Sequence, residues 1–297
     1  MAMHPFSRGI AGSLQRVSML PGRYGLSPAR MRARLSLMAS TLNPWDVTPT
    51  IPVTAVTLEA YPEVVEDLDQ VEVALHGYHH LGYSGRPRAA QASDLDSGLE
   101  ALKRCELHVE GFRAPYLQAD GVTFGLLRDR GILYDSSVPW LALPPDHPLR
   151  SDLAELAARR YGFVADRPSD FAEPVIELPV CMPDDEMLVD GLRIRNPAIL
   201  RRIFESMLDV VARDGSLLLL QIHPERFHVC ASAIESVLAR ATQLGAWKAP
   251  LRDIARWVQR RGGVRTSWPR GSPFAVAVTG DLDAVTLWDF ARRVYGG

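Results

Sequence analysis

The sequence predicts an α/β barrel, and three observations carry that prediction. Short apolar segments of strand length alternate with amphipathic segments of helix length along most of the chain. Residues able to do chemistry fall repeatedly just after an apolar segment, the edge at which a (β/α) barrel builds its site. No linker, internal repeat or low-complexity tract divides the 297 residues, so one barrel domain is expected over 1–297, with 1–30 as an irregular surface segment.

Residues 27–40 (SPARMRARLSLMAS) offer Ser27 as an N-cap, Pro28 at the first position, and Met31, Leu35 and Met38 at helical spacing. Residues 51–56 (IPVTAV) read as a buried strand, and 61–68 start a helix with Pro62 near its first turn. The strand at 71–75 (VEVAL) runs directly into His76-Gly77-Tyr78-His79-His80. A helix over 94–104, a strand over 109–112 ending at Arg113, a helix over 122–128 and a strand over 132–134 ending at Asp135 follow. Residues 175–179 read as a short strand, 199–213 as an amphipathic helix broken at Gly215, and 217–222 as a strand ending at His223. Helices over 233–244 and 251–261 precede the last strand, 274–279 (FAVAVT), which ends at Gly280-Asp281-Leu282-Asp283. The Pro-rich 139–148 and the Arg/Gly-rich 260–271 read as loops.

Composition narrows the function classes. A formal charge of -2 argues against a nucleic-acid binder, which needs a cation surplus against phosphate. The 23% charged and 47% hydrophobic fractions exclude wholesale disorder. No apolar run approaches the ~20 residues that span a bilayer. No apolar stretch of signal-peptide length precedes Arg16 and Arg23, so a cytosolic protein is expected. Cys105, Cys181 and Cys230 are few and scattered, as reduced thiols are.

Five segments could carry chemistry. His76 and His80 follow one strand within a single turn of chain and can converge on a metal, or they belong to a histidine-rich surface turn. His79 is read as non-ligating. Asp281 and Asp283 could divide labour, one binding metal and the other taking a proton, or they form a solvated turn or helix cap. Arg113, in Arg113-Ala114-Pro115-Tyr116, could fix a carboxylate through a bidentate contact or make a structural ion pair. Asp135, followed by Trp140 as an aromatic wall, could serve a site or form an Asx turn. His223 could be a general acid or a satisfied core histidine. The run Asp184-Asp185-Glu186 reads as a solvated loop.

Four of these segments, in order, resemble the blocks of the polysaccharide deacetylase family, carbohydrate esterase family 4. His76-Gly77-Tyr78-His79-His80 is similar to its metal-binding His-x-x-x-His block, and Gly111-Phe112-Arg113-Ala114-Pro115-Tyr116 to its Arg-x-Pro-Tyr block. Tyr134-Asp135-Ser136-Ser137 with Trp140 is similar to the Asp/Trp block, and 218–223 (LLLQIH) to the closing apolar-His block. The family's first block, a strand ending in two acids, should precede the His pair. Here the similar segment is 275–283 (AVAVTGDLD), at the other end of the chain. The resemblance therefore implies a distorted seven-stranded deacetylase-type barrel that is circularly permuted, which close termini make tolerable. Gly280 stands where the family usually has Phe, Leu282 separates the acids, and Gly77 replaces a Ser or Thr.

The resemblance implies one divalent metal held by Asp283, His76 and His80, zinc being expected ahead of cobalt, nickel or manganese. It further implies Asp281 as general base held by Arg113, His223 as general acid tuned by Asp135, the Tyr116 backbone N–H as an oxyanion donor, and Trp140 as a groove wall. The implied activity is hydrolysis of an acyl amide, in first place an N-acetyl group on a small sugar or glycan. The alternatives are an allantoinase-like amidohydrolase acting on a non-sugar C–N bond and a catalytically silent glycan-binding barrel.

Overall fold

The longer strands form where the chain buries every residue in succession. The computed structural model describes residues 23–167, 175–261 and 268–295; residues 1–22 of the predicted surface segment and 262–267 of the predicted last loop lie outside these. The strands are β1 (Thr50–Val53), β2 (Glu72–Leu75), β3 (Gly111–Phe112), β4 (Tyr134–Asp135), β5 (Pro139–Leu141), β6 (Ile176–Glu177), β7 (Val180–Met182), β8 (Leu217–Gln221), β9 (Trp247–Lys248) and β10 (Ala275–Thr279). β1, β2, β8 and β10 are buried at every position. Parallel strands covered on both faces require this, and it explains why they read as continuous apolar runs rather than alternating ones.

The main sheet has the order β6-β4-β3-β2-β1-β10-β8, with β9 beside β10, and every pairing is parallel. It is the curled, helix-covered sheet of a (β/α) barrel. β5 and β7 form a separate parallel pair. β7 runs alongside β8, where Leu219 N donates to Cys181 Sγ at 3.4 Å. The last strand of the chain, β10, thus lies between β8 and β1, and Gly280 N–H donates to Thr50 O at 3.1 Å.

The helices are α1 (Ala29–Leu42), α2 (Ala55–Ala60), α3 (Arg88–Arg104), α4 (Gly121–Asp129), α5 (Arg150–Tyr161), α6 (Pro197–Asp214), α7 (Pro224–Gln243), α8 (Leu251–Arg260) and α9 (Leu287–Tyr295). α1 buries Met31, Leu35 and Met38, the positions its periodicity predicts. α6 is capped by Asn196 and buries Leu200, Ile203, Phe204, Met207, Leu208 and Val211 along one stripe. Each such side chain contributes roughly 1.5–3 kcal/mol by leaving water.

Three departures from the sequence reading have clear causes. Residues 139–141 are strand β5 rather than loop, because Pro139 opens an edge strand, where its missing N–H costs no ladder bond. α5 was not anticipated; it buries Leu153, Leu156, Ala157 and Tyr161 at helical spacing within a strongly charged segment. α7 starts at Pro224 rather than 233, with proline at the first helical position, where an N–H has no partner to lose. Among the described residues no helix is long and apolar enough to cross a membrane.

Candidate active site

The site begins where β2 ends. His76 N–H donates to Val53 O at 2.9 Å, so the first histidine is still tied to the sheet. The chain then turns at Gly77, whose φ of +76° suits glycine, and where a Cβ would lie 2.8 Å from His79 O. Asp94 of α3 holds the turn. Its buried carboxylate accepts the Tyr78 N–H at 3.0 Å, the His79 N–H at 3.3 Å and the Tyr83 hydroxyl at 2.5 Å. The loop so fixed brings the His76 and His80 rings to 5.0 Å between centroids.

The acids come from the far end of the chain. Leu282 is bound to β1 on both sides: its N–H donates to Pro52 O at 2.8 Å and its carbonyl accepts from Thr54 N–H at 3.2 Å. Its side chain is buried, and in extended backbone residues two apart share a side. Asp281 and Asp283 therefore face the site together, and the leucine between them is what keeps them there. Gly280 is required by close packing, since a Cβ would fall 2.4 Å from Ile222 O. The departure from Phe at this position follows from how tightly the end of β10 meets the end of β8.

His76, His80 and Asp283 each bring one donor atom to a common point, the three atoms lying within 4.8 Å of one another. His76 Nε2 is 3.4 Å from Asp283 Oδ1, and His80 Nε2 is 3.3 Å from Asp283 Oδ2. Ligands at ~2.0–2.1 Å from a tetrahedral ion are separated by about 3.3–3.5 Å, so each histidine stands at ligand spacing from one oxygen of Asp283. His76 Nδ1 donates to Arg113 O at 2.8 Å, which fixes the tautomer and leaves the Nε2 lone pair facing the site. Two imidazole nitrogens and one carboxylate are donors suited to zinc and its neighbours. His79 lies outside the group; its exposed ring sits 3.4 Å from Asp94.

Asp281 stands beside this cluster, its Oδ2 3.8 Å from His76 Nε2. Arg113 Nη1 donates to Asp281 Oδ1 at 2.8 Å and Gln221 Nε2 to Oδ2 at 2.9 Å. The arginine contact is single rather than bidentate, because Nη1 also donates to Thr279 Oγ1 at 2.8 Å while Nε and Nη2 donate to Ser136. Gln221 was missed as a functional residue. Its signal is a polar side chain inside the apolar run of β8.

His223 follows Gln221 by two residues, and its partner differs from the expected one. Its Nδ1 donates to Asp185 Oδ1 at 2.7 Å and its backbone N–H to Asp185 Oδ2 at 2.9 Å. Burial pushes the imidazolium pKa down, but the Asp185 charge and hydrogen bond outweigh this, and the pKa is raised to about 10. Asp135 instead accepts Ser137 N–H at 3.0 Å, an Asx turn, and Ser137 Oγ–H at 2.8 Å. Asp184 and Asp185 are fully buried, so the run 184–186 is no solvated loop. Asp184 accepts from Tyr161 and from Met187 N–H, starting the turn Glu186–Gly191. The charge run hid this role, because acids in a loop-like composition read as solvated.

Trp140 is 2% exposed on β5, against Cys181 of β7, so it belongs to the core and forms no groove wall. Tyr116 is 50% exposed at the mouth, with φ 58° and its ring edge-on to His80 at 4.5 Å. Neither acid is a helix cap: α9 begins later, and Asp289 N–H donates to Thr286 Oγ1 at 3.1 Å there.

No family model matches the sequence, and no curated protein does. Solved structures do match. A protein assigned to the polysaccharide deacetylases, from Mycobacterium smegmatis, superposes with a TM-score of 0.64 at 22% identity, over 88% of this chain and 87% of its own. This chain has the polysaccharide deacetylase fold. A second protein so assigned, from Pseudomonas aeruginosa PAO1, gives 0.60 at 18% identity over 78% and 74% of the two chains. The Puue allantoinase gives 0.56 at 15% identity over 78% and 74%. The same fold thus occurs in proteins assigned to the polysaccharide deacetylases and in an allantoinase.

Proposed function

We propose that this chain is a metal-dependent hydrolase that removes an N-acetyl or similar acyl group from an amino-sugar-containing substrate. The observation that carries the reading is the convergence of His76, His80 and Asp283 on one point, with Asp281 oriented beside them. A divalent ion held by those three residues, zinc in the first instance, would supply Lewis acidity and a bound water of lowered pKa. Asp281 then takes the proton of the attacking water. Arg113 and Gln221 hold its two oxygens still, so that little reorganisation is needed when the charge moves. His223, charged at neutral pH through Asp185, donates its proton to the leaving nitrogen. The Tyr116 backbone N–H is the proposed oxyanion donor. Asp135 drops out as the tuner of His223 and Trp140 as a groove wall. The base and the acid sit in different environments, a carboxylate hydrogen-bonded by an arginine and an amide, and an imidazole held protonated by an aspartate.

We also infer that the chain is one circularly permuted domain. Placing β10 between β8 and β1 restores the order acids, then His pair, in space rather than in sequence.

The test is release of acetate from N-acetylated sugars by zinc-loaded protein, run beside cyclic and linear non-sugar amides. Turnover of a sugar amide that disappears in Asp281→Asn supports the reading. Turnover of non-sugar amides alone moves the assignment to the allantoinase-like class, and inactivity on both with intact metal binding supports the silent one.

A further inference from the structure

Two buried carboxyl groups behind Arg113 have no part in this chemistry. Asp135 ends β4 and Glu177 ends β6, and they are register partners on adjacent parallel strands. Register partners on neighbouring parallel strands lie about 5 Å apart with their side chains on the same side, so the two buried carboxyl groups face one space. Two ionised carboxylates offer only acceptors to each other, so close approach is favourable only when one of them carries a hydrogen. With exposures of 1% and 7%, two adjacent negative charges would stand unscreened.

The surrounding donors distinguish the two groups. Asp135 receives the Ser137 N–H and the Ser137 hydroxyl on its two oxygens and faces the charge of Arg113, the cation brought against the pair by β3. Glu177 receives the Val138 N–H on Oε1 at 3.0 Å, while its buried Oε2 meets no donor. An oxygen that bears the hydrogen itself needs none. Burial first, and the Asp135 charge second, hold the Glu177 carboxyl protonated well above the usual carboxylate range.

The pair fixes the turn that grips Arg113. Ser137 Oγ accepts Ala114 N–H at 2.8 Å, and Ser136 Oγ donates to Leu178 O at 2.8 Å. Ser136 in turn accepts Arg113 Nε at its carbonyl and Nη2 at its hydroxyl, each at 2.9 Å. That leaves Nη1 to reach Asp281. We propose that Asp135 and Glu177 share one proton, and that this singly charged pair is a positioning device setting Arg113 and, through it, the carboxylate of Asp281. The positioning half rests on the hydrolase reading above; the proton sharing does not.

Infrared difference spectra of the whole chain at neutral pH, wild type minus Glu177→Gln, should contain the carbonyl stretch of a protonated carboxyl. Thermal unfolding should give a matching signature. Unfolded Glu177 releases its proton near pH 4.5 whereas the folded one keeps it, so wild type should lose stability relative to Glu177→Gln as pH rises above that value. In turnover, Glu177→Leu should lower kcat about tenfold or more with KM little changed, and Glu177→Gln, which keeps a neutral donor, should restore most of it. A difference spectrum without the band, or a stability gap that is flat with pH, overturns the proton sharing. A wild-type kcat in Glu177→Leu overturns the positioning role. If no acyl amide is turned over, the positioning half falls with the hydrolase reading, and the spectra and unfolding curves still decide the shared proton.

Discussion

Glu72 and Asp281 are both buried acids at strand ends, Glu72 at the N-terminal end of the parallel strands and Asp281 at the C-terminal end. Glu72 opens β2 and is enclosed by neutral donors: Thr50 Oγ1 at 2.7 Å, Tyr134 Oη at 2.6 Å and the Arg252 N–H at the start of α8 at 2.9 Å. Burial raises its pKa, against the pull of these donors. Asp281 follows β10 at the other end. It is held by a cation and an amide and still faces the histidines. The same residue class is thus spent on joining helix to sheet at one end and kept available at the other, the division of labour expected of a (β/α) barrel.

That contrast can be broken from either side. The largest effect expected is in Asp281→Asn: kcat for acyl release falls by about 10²–10⁴, the range for a lost general base. Its zinc affinity should stay near wild type, while stability falls because one of the buried donors, Arg113 or Gln221, loses its acceptor. A destabilised Asp281→Asn with full turnover would make Asp281 a second Glu72. Glu72→Gln should cost about 1–3 kcal/mol in denaturant unfolding, since a buried donor loses its acceptor, while leaving both turnover and zinc titration unchanged.

A smaller effect concerns pH. His223 has a folded pKa of about 10 against an ordinary 6.5, so its contribution to stability is complete below 6.5 and is lost as pH rises towards 10. As the proton donor it should also set the alkaline limb of kcat/KM. Asp185→Asn removes the charge that raises this pKa and should move that limb to lower pH, whereas Asp135→Asn should leave its midpoint in place. Equal shifts in both variants would contradict the Asp185 assignment.

The candidate site was legible in the sequence where its residues end apolar runs. His76, Arg113, His223, Asp281 and Asp283 all stand at or just past a strand end, and strand ends are what the hydrophobic pattern marks best. The long strands were legible for the same reason. Asp185 was not, because a charge run between two short elements has the composition of a surface loop; only tertiary burial against β8 and α7 gives it a role. Gln221 was hidden by the opposite effect, one polar residue within an apolar strand. Trp140 was misread because an aromatic next to site residues in sequence need not share their side of the sheet, and the short strand β5 turns it into the core. α5 was missed because its buried stripe is thin among charged residues.

The account rests on residues from the two ends of the chain holding one metal. Zinc titration followed by calorimetry, on wild type and on Asp283→Ala and His80→Ala, tests this most directly. The account predicts one zinc per chain in wild type and an affinity loss of at least about 100-fold in each variant, with circular dichroism unchanged. Wild-type affinity in Asp283→Ala would show that the C-terminal acid is no ligand, and would remove both the proposed metal site and the reason for reading the chain as permuted.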